Sequence, residues 1–252
     1  MTHLGAPPLV GDSGSLPLPS IRSTRRHLTT HVVAPVAVAI VLVWWLEVLA
    51  GNRWIADHIY SWEGGQWLFR EHVVTSSWIH PGGKYLSLTL WVVALSFWLH
   101  SRRFASLSKR RSALAYLLVA TVLATGLVSV LKASIAMDCP WDMRPYGGLR
   151  PYLGLFDLRS SEFVESSHCF PAGHAGAGYS WMALYFFCLR IAPRWRFEGL
   201  LVGLILGLTF GISQQLRGAH FLSHDVVSAL ACWLTVLTLH RFMRPGRSGH
   251  GE

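Results

Sequence analysis

Six stretches of this chain are long and apolar enough to cross a bilayer, near residues 31–50, 85–101, 113–133, 174–192, 198–216 and 224–243. A spanning helix needs about 20 such residues. Backbone groups in lipid must find their partners within their own helix, so the pattern leads to an all-α, polytopic membrane bundle of six transmembrane helices. Composition agrees: of 252 residues, 52% are hydrophobic and 14% charged, with 12 tryptophans and positive mean hydropathy. A soluble domain of this length carries far more charge.

The formal net charge of +9 has a topological cause and does not indicate nucleic acid. Short inter-helix segments hold Arg22, Arg25 and Arg26; Arg102, Arg103, Lys109, Arg110 and Arg111; Arg190, Arg194 and Arg196; and Arg241, Arg244 and Arg247. By the positive-inside rule these segments and both termini face the cytoplasm. The opposite face receives 51–84, 134–173 and 217–223, where Asp57, Glu63, Glu71, Asp138, Asp142, Asp157, Glu162 and Glu165 dilute the basic residues. Residues 1–30, rich in Pro, Gly, Ser and Thr and without an apolar core, read as a disordered cytoplasmic tail and not as a cleaved signal peptide. One membrane domain over 31–243 follows, then a cytoplasmic tail over 244–252.

Residues 51–84 carry Trp54, Trp62, Trp67 and Trp78 among polar neighbours, as expected of a helix anchored at the membrane interface. A lid that gathers lipid is the functional alternative. In the fifth segment Gly199, Gly203, Gly207 and Gly211 recur every four residues on one face, where backbones can approach closely. Packing inside the bundle is the expected use; a homo-oligomer interface is the alternative. The 134–173 segment is long for a loop and rich in Pro, Gly, Asp and Arg, so it is expected to cover or complete a site.

Three polar islands end or begin apolar segments, all on the non-cytoplasmic face: Lys132 to Cys139-Pro140, Phe170-Pro171-Ala172-Gly173-His174, and Arg217 through Asp225. Ionisable groups at membrane-helix ends are costly to keep and mark functional sites. These residue types suit phosphoryl transfer, which needs cations on the phosphoryl oxygens, an in-line nucleophile and an acid for the leaving oxygen. His220 is the candidate nucleophile, with Asp225 to orient its other ring nitrogen. His174 can protonate the leaving group at a helix start whose amides face the phosphate. Gly173 lets the backbone come close, and Lys132 supplies a cation. No cofactor is called for. The rival chemistry is a metal site: His220 and His224 stand at i and i+4, with Asp225 and His168 as further ligands; the expected role of His224 is instead to support the site from behind or to contact substrate.

The islands resemble the three motifs of the type 2 phosphatidic acid phosphatase superfamily, membrane lipid phosphatases related in fold to vanadium haloperoxidases. That pattern is Lys-x6-Arg-Pro, Pro-Ser-Gly-His, and Ser-Arg-x5-His-x3-Asp. The resemblance covers roughly residues 113–240. It implies a haloperoxidase-like helical bundle, His220 as nucleophile and His174 as acid. The chain departs from it at several positions. Cys139 stands at the first arginine position and Ala172 at the serine. Gln214 follows Ser213 where the second arginine belongs, and Asp225 lies one residue further from His220. Arg217, about one turn past Gln214, is the expected replacement for one arginine, and Arg144 or Arg150 for the other.

Cys139 and Cys169 share a face that is oxidising in a bacterial envelope, so a disulfide is expected between them, with two free thiols as the alternative. Closing a loop of about 30 residues is worth ~3–4 kcal/mol in the chain-entropy model. Cys188 and Cys232 read as small packing residues. The whole describes a multi-pass enzyme of the cytoplasmic membrane with its active site on the non-cytoplasmic face. Its expected partners are the bilayer and a lipid phosphate: phosphatidic acid, a polyprenyl diphosphate or a phosphorylated glycolipid. A phosphotransferase and a catalytically silent lipid-binding scaffold are the alternatives.

Overall fold

The computed structural model describes residues 21–157 and 167–243. Among the described residues there are no strands, and the helices are α1 (Ile21–Leu28), α2 (Ala34–Val48), α3 (Gly51–Trp62), α4 (His80–Ser101), α5 (Ser108–Ser134), α6 (Gly173–Tyr179), α7 (Ala183–Ile191), α8 (Arg196–Leu216) and α9 (Leu222–Phe242). Wider π turns at Thr29–Val33 and Val74–Ile79 run directly into α2 and α4. The first helix therefore begins at Ile21, ten residues before the expected span, and the second at Val74, eleven before. The rest of the expected N-terminal tail and the tail beyond 243 lie outside the described residues.

Among the described residues five helices are long and apolar enough to cross a membrane: Arg25–Val48, Val74–Ser101, Arg110–Ser134, Pro193–Leu216 and Leu222–Phe242. The fourth expected span differs. It is two helices, α6 and α7, joined by a 3-10 turn at Ser180–Met182. Its sequence explains this, because the Gly-His-Ala-Gly-Ala-Gly-Tyr run faces other helices and not lipid. A Cβ on Gly176 would meet Val128 Cβ at 3.2 Å, and one on Gly178 would meet the Gly207 backbone. Buried positions need small size more than apolarity, so the segment lacks the hydropathy of its lipid-facing neighbours.

The glycine stripe of α8 is spent on this same contact. Gly199 lies against the Leu184 backbone, Gly203 against Trp181 and Met182, Gly207 against the Tyr179 ring and Gly211 against Asp225. The stripe packs the bundle from within. The opposite face of α8 presents Leu201, Ile205, Leu208 and Ile212, and α2 presents Val38, Ile40, Val41 and Trp44, all exposed in the isolated chain. In a bilayer these apolar surfaces meet acyl chains.

Two cores result. The larger lies within the bundle, where Tyr116, Ala120, Ala124 and Val128 of α5 pack on Ala175, Tyr179, Phe186, Cys232 and Val236. The smaller sits at one end of the bundle and joins Ala56, Trp67, Met137, Met143, Tyr146, Phe170 and Phe221. Trp54, Trp62 and Trp78 are exposed as an interfacial belt requires, but Trp67 is buried in this second core. It is a packing residue, not an anchor. The second core forms a cap made by α3, the 63–73 connection and the described parts of the long loop, 135–157 and 167–172.

Candidate active site

The three islands meet beneath this cap. His220 lies in the short turn between α8 and α9 and is 5% exposed. Burial, followed by the positive charges of His224, Lys132 and His174, holds its imidazole well below its ordinary value of 6.5; a hydrogen bond to the Cys169 carbonyl opposes them. These groups sense one another although they come from α5, α6 and the α8–α9 turn. Gly173 explains part of the approach: a Cβ there would stand 3.5 Å from Lys132 Cδ. His174 follows as the second residue of α6 and is half-buried.

Motif segments two and three are tied by backbone. Ser228 Oγ donates to the Ala172 carbonyl at 3.0 Å, and the Ala172 N–H reaches the His224 carbonyl at 3.4 Å. The hydroxyl that Ala172 lacks is not needed for this attachment. On the cap side the Trp141 N–H donates to the Gly218 carbonyl at 2.9 Å, so the loop segment around Trp141 closes directly on the turn that holds His220. The space left beside His220 is ≈ 10 Å³, walled by Asn52, Ala56, Trp67, Pro140 and Gln215.

Asp225 does not orient His220. Its Oδ2 accepts from Gln215 Nε2 at 2.5 Å, and its Oδ1 is buried without a hydrogen-bond partner among the described residues. Successive residues of a helix point about 100° apart. Position 225 is therefore turned onto α8, against Gly211. Position 224 keeps the side on which His220 lies, as i,i+4 pairs do. His224 Nδ1 stands 3.3 Å from His220 Nδ1. It occupies the place where His-x3-Asp puts its acid, and the spacing in the sequence was the signal for it. The residues of the metal alternative are not gathered: Asp225 is held by Gln215, His168 is exposed, and among the described residues no group of three His, Cys, Asp or Glu is arranged as ligands.

The three arginines expected to compensate separate clearly. Arg217 Nη1 donates to Gln214 Oε1 at 3.2 Å and its Nε to the Arg70 carbonyl at 3.1 Å, beside the turn that holds His220. Arg150 is committed to the buried Asp138 carboxylate at 2.5 Å. Arg144 is exposed, and its Nε donates to the Leu149 carbonyl at 3.2 Å. Among the described residues neither loop arginine carries an observed contact to Lys132, His174 or His220; Arg150 reaches the first island only at Asp138. Arg70, absent from the sequence reading, lies over the Trp141 ring with its guanidinium 4.4 Å from the centroid.

Cys139 and Cys169 are joined in a disulfide, with Cα atoms 5.3 Å apart. Cys188 and Cys232 are free thiols. Two further residues, missed in sequence, hold the third island. Asn52 accepts from the Ser223 N–H at 3.2 Å and donates to Ser223 Oγ and Glu47 Oε1, each at 2.8 Å. It satisfies an amide at the start of α9 that the helix itself leaves open. Glu47 also accepts from the Leu155 N–H at 3.0 Å. An acid inside the first apolar segment was the available signal.

No curated protein and no solved structure matches the chain significantly. A family model described as the PAP2 superfamily matches residues 113–247, from within α5 to beyond α9. That match spans more than half of the chain and includes Lys132, His174 and His220, and the chain belongs to the PAP2 superfamily, whose members typically hydrolyse phosphate esters.

Proposed function

We propose that this protein is a membrane phosphatase that hydrolyses a phosphate monoester or diphosphate of a lipid through a phosphohistidine at His220. The observation that carries the reading is the gathering of Lys132, His174 and His224 around one buried imidazole. In this mechanism a ring nitrogen of His220 attacks phosphorus while the bond to the lipid oxygen breaks. His174 gives that oxygen its proton. Water then attacks the phosphohistidine, loses a proton to His174, and releases inorganic phosphate with His220 restored. Lys132 and Arg217 neutralise the phosphoryl oxygens. Arg217 takes this role over Arg144 and Arg150 because it is bound to Gln214, the residue at the missing arginine's position.

A lipid substrate is supported by the five apolar helices and by exposed Trp54, Trp62 and Trp78 near the cap. The α6–α7 pair serves as a sixth crossing, which leaves both termini in the cytoplasm and the site at the outer surface of the cytoplasmic membrane. Phosphatidic acid, polyprenyl diphosphates and phosphorylated glycolipids all fit this setting. Phosphate release from such lipids and from soluble phosphate esters, with EDTA present, tests the reading. Release from lipid that His220→Ala abolishes is expected. Equal turnover of soluble esters overturns the lipid assignment, and release that survives His220→Ala overturns the mechanism.

A further inference from the structure

The cap brings to His220 one polar group that the three motifs do not supply, the indole N–H of Trp67. Trp67 is 9% exposed, and its Nε1 has no hydrogen-bond partner among the described residues. A donor buried without an acceptor is costly, and native folds keep few such atoms. The rings of Tyr60 and Tyr146 flank the indole, with centroids 5.2 and 5.7 Å away. An aromatic ring is a weak acceptor and does not replace an oxygen.

The position of the indole is fixed from both sides. A Cβ at Gly218 would meet Trp67 Cδ2 and Cε2, and Cε2 is the carbon that bears Nε1. The nitrogen is thus one bond from the contact with the turn that carries His220. On the other side the Trp67 carbonyl accepts from the Arg70 N–H at 3.0 Å, and the Arg70 carbonyl accepts from Arg217 Nε at 3.1 Å. One short segment of the cap therefore links Trp67 to the cation proposed for the phosphoryl group.

Trp67 and His220 also wall the same cavity, with Gln215 and Asn52 beside them. Its volume of ≈ 10 Å³ is that of one water-sized sphere, so it admits a single oxygen and not a whole phosphate. An indole N–H donates and cannot accept, so the group that suits it there is an acceptor. The chain is short of donors at Ala172 and Gln214, where the family pattern has serine and arginine.

We infer that the Trp67 indole N–H donates to one phosphoryl oxygen of the substrate, held in this cavity beside His220. The inference rests on the phosphohistidine reading and adds a substrate-binding residue from outside the matched residues 113–247. The remaining oxygens are left to Lys132 and Arg217. No proton is transferred; the hydrogen bond strengthens as charge gathers on the oxygen, so its loss is read in kcat more than in KM.

The test sets Trp67→Phe, which keeps a ring against Gly218 and loses the N–H, beside ¹H–¹⁵N indole spectra of the purified protein. Trp67→Phe should lower kcat by about a hundredfold, the scale of losing one such donor, with KM changed little. The Trp67 indole signal, identified by its loss in Trp67→Phe, should move when orthovanadate is added as a mimic of the transferring phosphoryl group. An indole that only packs gives a lower melting temperature in Trp67→Phe, near-wild-type kcat and a signal that vanadate leaves in place. Near-wild-type kcat, or an unmoved signal at vanadate levels that stop turnover, overturns the inference. If Trp67→Phe does not fold, the signal is identified by its through-space contacts with Tyr60 and Tyr146, and the vanadate titration decides. If folded wild-type protein releases phosphate from no substrate, the phosphatase reading fails; a Trp67 signal that still moves with vanadate keeps the phosphoryl contact, and one that does not removes it.

Discussion

Gly218 lies beneath the indole of Trp67: a Cβ at Gly218 would stand 2.9 Å from Trp67 Cγ, and the residue has φ +68°. The turn that carries His220 is thus shaped by the cap above it. Gly218→Ala meets both a steric clash and a left-handed backbone that alanine resists. It should cost about 1–3 kcal/mol and lower the melting temperature. Adding Trp67→Ala should recover the steric part only, a coupling that a double-mutant cycle reads directly. Simple additivity of the two changes would show that cap and turn are independent.

The α8 stripe yields a second prediction. Gly203 faces the backbone of Met182, with a Cβ reaching 2.7 Å from its Cα. Backbone cannot move aside as a side chain can, so Gly203→Val should lower thermal stability sharply, by at least the ~1–3 kcal/mol typical of overpacking. Leu201→Val, on the exposed face of the same helix, is the control and should change little. Equal melting temperatures for the two variants would contradict the packing described between α8 and the turn that joins α6 to α7.

Sequence reaches this fold unevenly, for physical reasons. Lys132, His174 and His220 are legible because polar groups at the ends of apolar runs have few other reasons to exist. That Asp225 turns away from His220 is not, because its partners Gln215 and Gly211 lie on α8 and are set by how two helices pack. The α6–α7 break is hidden as well, since hydropathy reports contact with lipid and this segment contacts protein. Trp67 looks like its three neighbours in composition; only the tertiary fold distinguishes a buried indole from an interfacial one. Asn52, itself bonded to Glu47, holds Ser223 171 residues away, a separation that no local pattern spans.

Cation supply distinguishes the three arginines. Arg217→Ala should lower kcat/KM by about 10²–10³, the usual loss for one oxyanion donor. Arg144→Ala should leave turnover near wild type. Arg150→Ala strands the buried Asp138 carboxylate, so it should reduce stability more than chemistry. Kinetics and melting curves of the three variants side by side check this order, and Arg217→Ala with unchanged kcat/KM would remove Arg217 from the site.

Acid sensitivity follows from the buried imidazole. His220 is held well below 6.5, chiefly by burial. The attacking ring must be unprotonated, so kcat/KM should persist below pH 6.5 and fall only as pH drops through the lowered value. Stability moves the same way. Between the lowered value and 6.5 the unfolded chain binds a proton that the folded protein does not, so stability declines as pH falls through that window. A pH profile of kcat/KM whose His220-dependent acid limb lies at or above 6.5 would contradict the burial described for the ring.

Trapping the intermediate tests the central claim most directly. Protein mixed briefly with a lipid phosphate, quenched in alkali to preserve phosphohistidine, and digested for mass spectrometry should carry one phosphate on His220. The signal should vanish in His220→Ala and accumulate in a variant slow at the second step. Phosphate on another residue, or undiminished phosphate release by His220→Ala with no phosphoenzyme in either protein, would contradict the account.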